Sequence, residues 1–261
     1  MKRIIYYYQT FTDLSPILKP NSPVTHIHLS SIHFGLDNNK PYIHLNDYPP
    51  TSPKFNKVWD DMKTASKLGI KIVLMVGGAG GAYQTMFSNY EIYYTLLKEL
   101  LDSQTMISGV DLDIEEFVDI ENVKKLMRQI KTDYPHFSIS MAPIQSSLEE
   151  DLTGMGGFCY KDLWKSPEGS LIDYFNGQFY ASFTKESLQM CIDNHYYGDM
   201  IVMGMCGCPD FEDKCNQLKE IISSNMDFGG VFLWEYCLRE ENWDQIMNLI
   251  INSHKYGCNY L

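Results

Sequence analysis

The sequence predicts an α/β fold of one domain, a single (β/α)8 barrel over residues 1–261, and three observations predict it. Short apolar segments alternate with longer amphipathic ones, which calls for a parallel sheet covered by helices. The short segments number eight, and eight units within 261 residues suit closure into a barrel better than an open doubly wound sheet. The open alternative also lacks its fingerprint. Gly77-Gly78-Ala79-Gly80-Gly81 is glycine-rich, but its spacing is not G-x-G-x-x-G and no phosphate lysine follows.

In chain order, residues 3–9, 25–31, 71–77, 109–114, 137–142, 174–180, 200–205 and 230–235 read as the strands. Residues 52–68, 91–103, 120–133, 185–194, 211–224 and 241–253 read as helices. Ile92, Leu96, Leu97 and Leu100 recur at helical spacing, as do Ile221 with Ile222, and Ile246 with Leu249 and Ile250. The first crossover (11–23) and the fifth (144–173) are irregular, each with at most a short helix. No repeat, low-complexity tract or Pro/Gly/Ser-rich linker marks a domain boundary.

Hydrophobic residues make up 44% of the chain, enough for a sizeable core. The net charge of −12 argues against nucleic acid or an anionic membrane as partner. No apolar run reaches the length of a membrane span; the longest, residues 70–76, is strand-sized. The start, Met1-Lys2-Arg3 before Ile4-Ile5, has a basic end but too short a hydrophobic region for a signal peptide. A cytoplasmic protein is expected, or a secreted one if a leader has been removed. Seven scattered cysteines do not suggest a disulfide framework. A monomer is expected.

The stretch that carries chemistry is Ser108-Gly109-Val110-Asp111-Leu112-Asp113-Ile114-Glu115. Side chains two apart on a strand face the same side, so Asp111, Asp113 and Glu115 form one column and Val110, Leu112 and Ile114 face the helices. Burying three carboxylates together costs stability unless function requires it. The column ends at the C-terminal end of its strand, where barrels keep their active sites. Neighbouring negative charges raise a carboxyl pKa, so one member can hold a proton near neutral pH, as glycosidic cleavage needs. The plainer readings are a solvated acidic strand end or a carboxylate cluster for a divalent cation.

These residues resemble glycoside hydrolase family 18, which includes chitinases and endo-β-N-acetylglucosaminidases. SGVDLDIE is similar to the family's fourth-strand DGxDxDxE, with Ser108 at the first acid and Ile114 in place of the aromatic common before the glutamate. Thr25-His26-Ile27-His28-Leu29 resembles the second strand, and Met75-Val76-Gly77-Gly78 the third-strand S-x-G-G with Met75 for the serine. Met141-Ala142-Pro143 resembles the fifth-strand M-A-P. Gln178-Phe179-Tyr180 resembles the sixth-strand Q-x-Y, and Gly229 to Trp234 the eighth-strand G-G-x-x-x-W.

The resemblance implies substrate-assisted retaining hydrolysis at β-1,4-linked N-acetylglucosamine, with no cofactor and no metal. Glu115 would be the general acid and base, Asp113 would hold the acetamido N–H, and Asp111 would modulate Asp113 through a shared proton. Tyr180 would hydrogen-bond the acetamido carbonyl, and Trp234 would form the apolar floor under the sugar. Gly77 and Gly78 would keep the cavity wall low. Gln178, Met141 and Tyr7 complete the expected substrate contacts. About 25 residues separate Met205 from Gly230, one helix long, so the small α+β domain many chitinases insert there is not expected. An open groove and endo-type cutting follow.

Other groups have plainer uses. His26 and His28 share a strand face without a third metal ligand, so a barrel-lining role is expected. Cys206, Cys208 and Cys215 lack a fourth zinc ligand; a Cys208–Cys215 disulfide is one alternative to plain thiols. Glu116, adjacent to Glu115, points out of the column by alternation. The rivals to an enzyme of this type are a non-catalytic carbohydrate-binding or inhibitor protein on the same barrel, and a metalloenzyme using the acidic column.

Overall fold

The computed structural model describes residues 2–207 and 210–253. Its elements run β1 (Arg3–Tyr8), β2 (His26–Asp37), β3 (Lys40–Leu45), α1 (Asn56–Lys67), β4 (Lys71–Gly77), α2 (Tyr83–Ser88) and α3 (Tyr90–Ser103). There follow β5 (Ile107–Asp113), α4 (Ile120–Asp133), β6 (Ser138–Met141), α5 (Ser146–Glu149), α6 (Tyr160–Lys165), β7 (Tyr174–Gly177) and α7 (Lys185–Asp193). The last are β8 (Ile201–Cys206), α8 (Phe211–Ser223), β9 (Gly230–Trp234) and α9 (Trp243–Ile251).

Eight strands pair in parallel from β1 through β2 and β4 to β9, and β9 pairs back onto β1, which closes the (β/α)8 barrel. Between β8 and β9 the described chain holds the single helix α8. No described helix is long and apolar enough to cross a membrane.

The helices form where local signals and apolar spacing agree. Asp119 caps α4 by accepting from the Glu121 amide at 2.9 Å, and Val123, Leu126, Met127 and Ile130 make its buried stripe. Two helical faces are rotated from expectation. In α3 the buried set is Tyr93, Tyr94, Leu97, Leu100 and Leu101, and Ile92 is exposed. In α9, Leu249 is exposed while Trp243, Met247 and Ile250 are buried. Aromatic rings supply the burial that an aliphatic count assigned to Ile92 and Leu249.

The second strand runs six residues beyond its expected end and turns back through Asn38 and Asn39, both at positive φ, into β3. That antiparallel hairpin stands outside the cylinder. Asn-Asn in a two-residue turn is a recognisable signal, since asparagine tolerates the left-handed region such turns require. The fifth crossover holds two short helices, α5 and α6, and a 3-10 turn at Pro167–Leu171.

Alternation along the strands separates two apolar layers. Tyr6, Tyr8, Val110, Leu112 and Ile114 join the large layer between barrel and helices. Ile5, Tyr7, Met75, Tyr174, Val202 and Phe232 fill the barrel interior. One ring of the Tyr6-Tyr7-Tyr8 run, Tyr7, therefore faces inward, and the acidic column rises directly above this small interior core.

Candidate active site

Asp111 sits at the bottom of the column, fully buried, and each of its oxygens is met by donors from other strands. Oδ2 accepts from the Tyr7 hydroxyl at 2.7 Å and lies 3.3 Å from His28 Nδ1. Oδ1 accepts from Ser140 Oγ at 2.5 Å and Asn176 Nδ2 at 3.1 Å. Burial alone would raise this carboxyl. Attraction and hydrogen bonding to His28, with the hydroxyls of Ser140 and Tyr7, outweigh it and hold Asp111 below the usual carboxylate range.

Asp113, one step up, has the opposite environment. It is buried, its Oδ1 has no hydrogen-bond partner among the described residues, and Glu115 and Asp111 add negative charge on either side. Burial first, then those two neighbours, push its carboxyl well above the ordinary value. Asp113, pushed up, thus stands directly above Asp111, held down.

Gly77 and Gly78 make this approach possible. Their φ angles are +96° and +83°, and a Cβ on Gly77 would stand 2.2 Å from the Asp113 carbonyl oxygen. A Cβ on Gly78 would stand 3.3 Å from Asp113 Oδ2, and the Gly78 amide donates to the Asp113 carbonyl at 2.8 Å. Both glycines are buried, so they serve close packing against β5 as well as space in front of its carboxylate.

Glu115 stands two residues past the end of β5 and is half-buried at the barrel mouth. Gln178 Nε2 lies 3.5 Å from its Oε1 and donates to the Ala142 carbonyl at 3.0 Å. Glu116 turns the other way, and its carboxylate accepts the backbone amides of Ala82 and Tyr83 at the start of α2. From the opposite wall, Tyr180 and Trp234 are half-buried and pack on the interior core, Trp234 with its ring 5.3 Å from that of Tyr7. Burial, then Asp113, Cys206 and Glu115, raise the Tyr180 hydroxyl well above its usual value, so it remains a hydrogen-bond donor.

The family model for glycosyl hydrolases family 18 matches residues 3–193, more than half of the chain. The chain belongs to glycosyl hydrolase family 18. Among solved structures, a fungal endo-β-N-acetylglucosaminidase of this family is 27% identical, with a TM-score of 0.86 over 97% of this chain and 99% of that one. A chitinase from Aspergillus fumigatus is 26% identical, with a TM-score of 0.83 over 97% of this chain and 100% of that one. A family 18 chitinase from Pseudoalteromonas aurantia, at 16% identity and a TM-score of 0.73, shares the fold. None of the curated proteins matches the sequence. The protein is thus a chitinase-like glycosyl hydrolase.

Two of the expected substrate contacts in this family 18 barrel lie elsewhere. Met141 is fully buried in the layer between barrel and helices, because Ser140 is the β6 residue that faces inward to Asp111. Tyr7 is 2% exposed and holds Asp111 from below, which leaves no ring face open to a sugar. The interior donors His28, Ser140 and Asn176 were not singled out as site residues from the sequence. Alternation does mark them, since each is an even number of positions from another inward-facing residue on its strand.

A cavity of about 530 Å3 opens on the same end of the barrel as Glu115, lined by Gln9, Thr10, Ser31, His33, His44, Asn46 and Ala79 to Gly81 but by none of the three acids. Its lining comes from β2, β3 and the turns after β1 and β4, not from Tyr180 or Trp234. Among the described residues no three His, Cys, Asp or Glu side chains are arranged to hold a metal ion. Cys206 is exposed at the end of β8, and Cys208, with its possible bond to Cys215, lies outside the described residues.

Proposed function

We propose that the enzyme hydrolyses β-1,4 linkages next to N-acetylglucosamine, in chitin oligosaccharides or a glycan core, by substrate-assisted retention. The observation that carries this reading is the graded acidic column: Asp111 with donors on both oxygens and held below the usual carboxylate range, Asp113 raised above it without a partner for Oδ1, and Glu115 half-buried at the mouth. A column meant only for stability would leave no buried carboxyl oxygen unmatched.

Glu115 protonates the glycosidic oxygen as the bond from C1 to that oxygen breaks, and the leaving sugar departs as an alcohol. The acetamido carbonyl oxygen of the same N-acetylglucosamine attacks C1 and closes a cationic oxazolinium ring. Asp113 accepts the acetamido N–H, and as positive charge grows its own proton moves toward Asp111. Tyr180 donates to the acetamido carbonyl and aims it at C1, while Trp234 carries the apolar face of the sugar. Water then attacks C1, Glu115 takes its proton, and the ring reopens with the original anomeric configuration.

The names of two solved relatives above 25% identity, an endo-β-N-acetylglucosaminidase and a chitinase, support N-acetylglucosamine at the cut. The cavity of about 530 Å3 on the same end of the barrel offers room for further sugars of an oligosaccharide.

The test is hydrolysis of a fluorogenic chitobiose or chitotriose glycoside by the wild type and by Glu115→Gln. A loss of at least about 100-fold is expected, the scale of a deleted general acid. Equal rates in both proteins, or sugar binding without hydrolysis in either, would overturn the proposal.

A further inference from the structure

The donors around Asp111 come from β1, β2, β6 and β7, whereas the inward residue of β4, Met75, is apolar. The contribution of β2 is His28, a fully buried imidazole. Nδ1 lies 3.3 Å from Asp111 Oδ2, and Nε2 lies 3.1 Å from the Tyr174 hydroxyl. The Arg3 guanidinium sits 4.3 Å above the Tyr174 ring. Tyr174 thus occupies Nε2, while Nδ1 meets the carboxylate by proximity and charge, having no hydrogen-bond partner among the described residues.

Other groups surround this imidazole and the Asp111 carboxylate. The Tyr7 ring packs 4.8 Å from His28 and spends its hydroxyl on the same Oδ2. His26, 6.5 Å away on the same strand, is held neutral by burial, by His28 and by Arg3 and Lys71. On β5 the next carboxyl is Asp113, and on β7 Asn176 donates to Asp111 Oδ1.

We infer that His28 is a positioning residue for hydrolysis: its ring, with Nδ1 3.3 Å from Asp111 Oδ2 at the foot of the column, favours the charged form of that carboxylate and so steers the transferable proton to Asp113. The inference rests on the catalytic roles of Glu115 and Asp113 proposed above. Without that imidazole beside it, Asp111 takes up a proton at higher pH, the column loses its negative charge, and the acid limb of kcat moves upward.

The experiment follows kcat and KM against pH on a fluorogenic chitotriose glycoside for the wild type, His28→Phe and His28→Asn. Phenylalanine keeps a ring in the barrel and removes both nitrogens, while asparagine keeps an N–H near the Nδ1 position. His28→Gln, which withdraws the N–H from that position, replaces the phenylalanine variant if the latter does not fold. The donor-less variant should move the acid limb up by about 1 pH unit or more, with KM within about twofold, and asparagine should restore it.

An unmoved limb in a folded donor-less variant, or an equal displacement with asparagine, overturns the inference. A carbon-13 carboxyl titration of Asp111, assigned with Asp111→Asn, reads the same ionisation without turnover. It should show Asp111 ionised to lower pH in the wild type than in the donor-less variant, and identical titrations overturn the role of His28. If no glycoside is hydrolysed at all, the catalytic reading fails by itself, and the carboxyl titration alone decides the link between His28 and Asp111.

Discussion

Glu115 and Glu116 carry the same carboxyl group one residue apart, and the backbone sends them to different surroundings. Glu115 stands over Asp113 near Gln178, while Glu116 is spent on the amides of Ala82 and Tyr83. Glu116→Gln should therefore stay within about 10-fold of wild-type activity on the chitotriose glycoside, far above Glu115→Gln; a loss as large as that of Glu115→Gln would reassign the acid. Asp113 allows a stability test with a definite sign. Its carboxyl ionises in the usual range when unfolded and well above it when folded. Between those pH values folding takes up a proton, so stability declines as pH rises and is lowest above the raised value. Asp113→Asn removes the penalty and should exceed the wild type by about 1 kcal/mol or more at pH 8, with little difference near pH 4, in urea midpoints. A variant weaker than wild type at pH 8 would contradict this. Which acids share a face was legible in the period of two. Which one holds the proton was not, because that depends on donors from four other strands.

At the level of elements, the junction of β4 and β5 is the tightest part of the site. Gly77 has no room for a side chain, since its Cβ would collide with the Asp113 backbone carbonyl, which cannot give way. Gly77→Ala should cost about 2–4 kcal/mol of stability in urea unfolding and lower activity through Asp113; a cost under about 0.5 kcal/mol would show that the junction relaxes. Strands and long helices were legible because apolar period and length agree over many residues. The exceptions have physical causes. Helix α2 is six residues long and starts on a carboxylate more than thirty positions away, so no local pattern announces it. The β2–β3 hairpin left a signal in Asn38-Asn39, but its strands carry Pro41, His33 and His44, which blur the alternation. Met141 was misassigned because a three-residue motif match cannot say which of two adjacent side chains faces inward, whereas the bond from Ser140 to Asp111 does.

At the level of the whole molecule, the buried ionisable groups at the base of the barrel set its acid tolerance. His26 is pushed down to about 2 by burial, then by His28, Arg3 and Lys71. Below its ordinary value of 6.5 the unfolded chain protonates this imidazole and the folded barrel does not. Stability is therefore lost as pH falls from 6.5 toward 2, by about 1.4 kcal/mol per unit for a fully shifted group. His26→Gln should lose about 2 kcal/mol less than wild type between pH 6.5 and 4.5, read from urea unfolding at each pH. Equal losses would mean that water reaches His26. The closure of the barrel carries a separate consequence for how the protein is made. The seam joins Arg3–Tyr6 to Gly230–Leu233, so the barrel strand made first waits for the barrel strand made last. Until synthesis passes that point, both margins of the growing sheet present unpaired amides and carbonyls to neighbouring polypeptides. Chaperones that shield nascent chains would therefore affect the yield of this enzyme more than that of a protein whose first and last segments never meet.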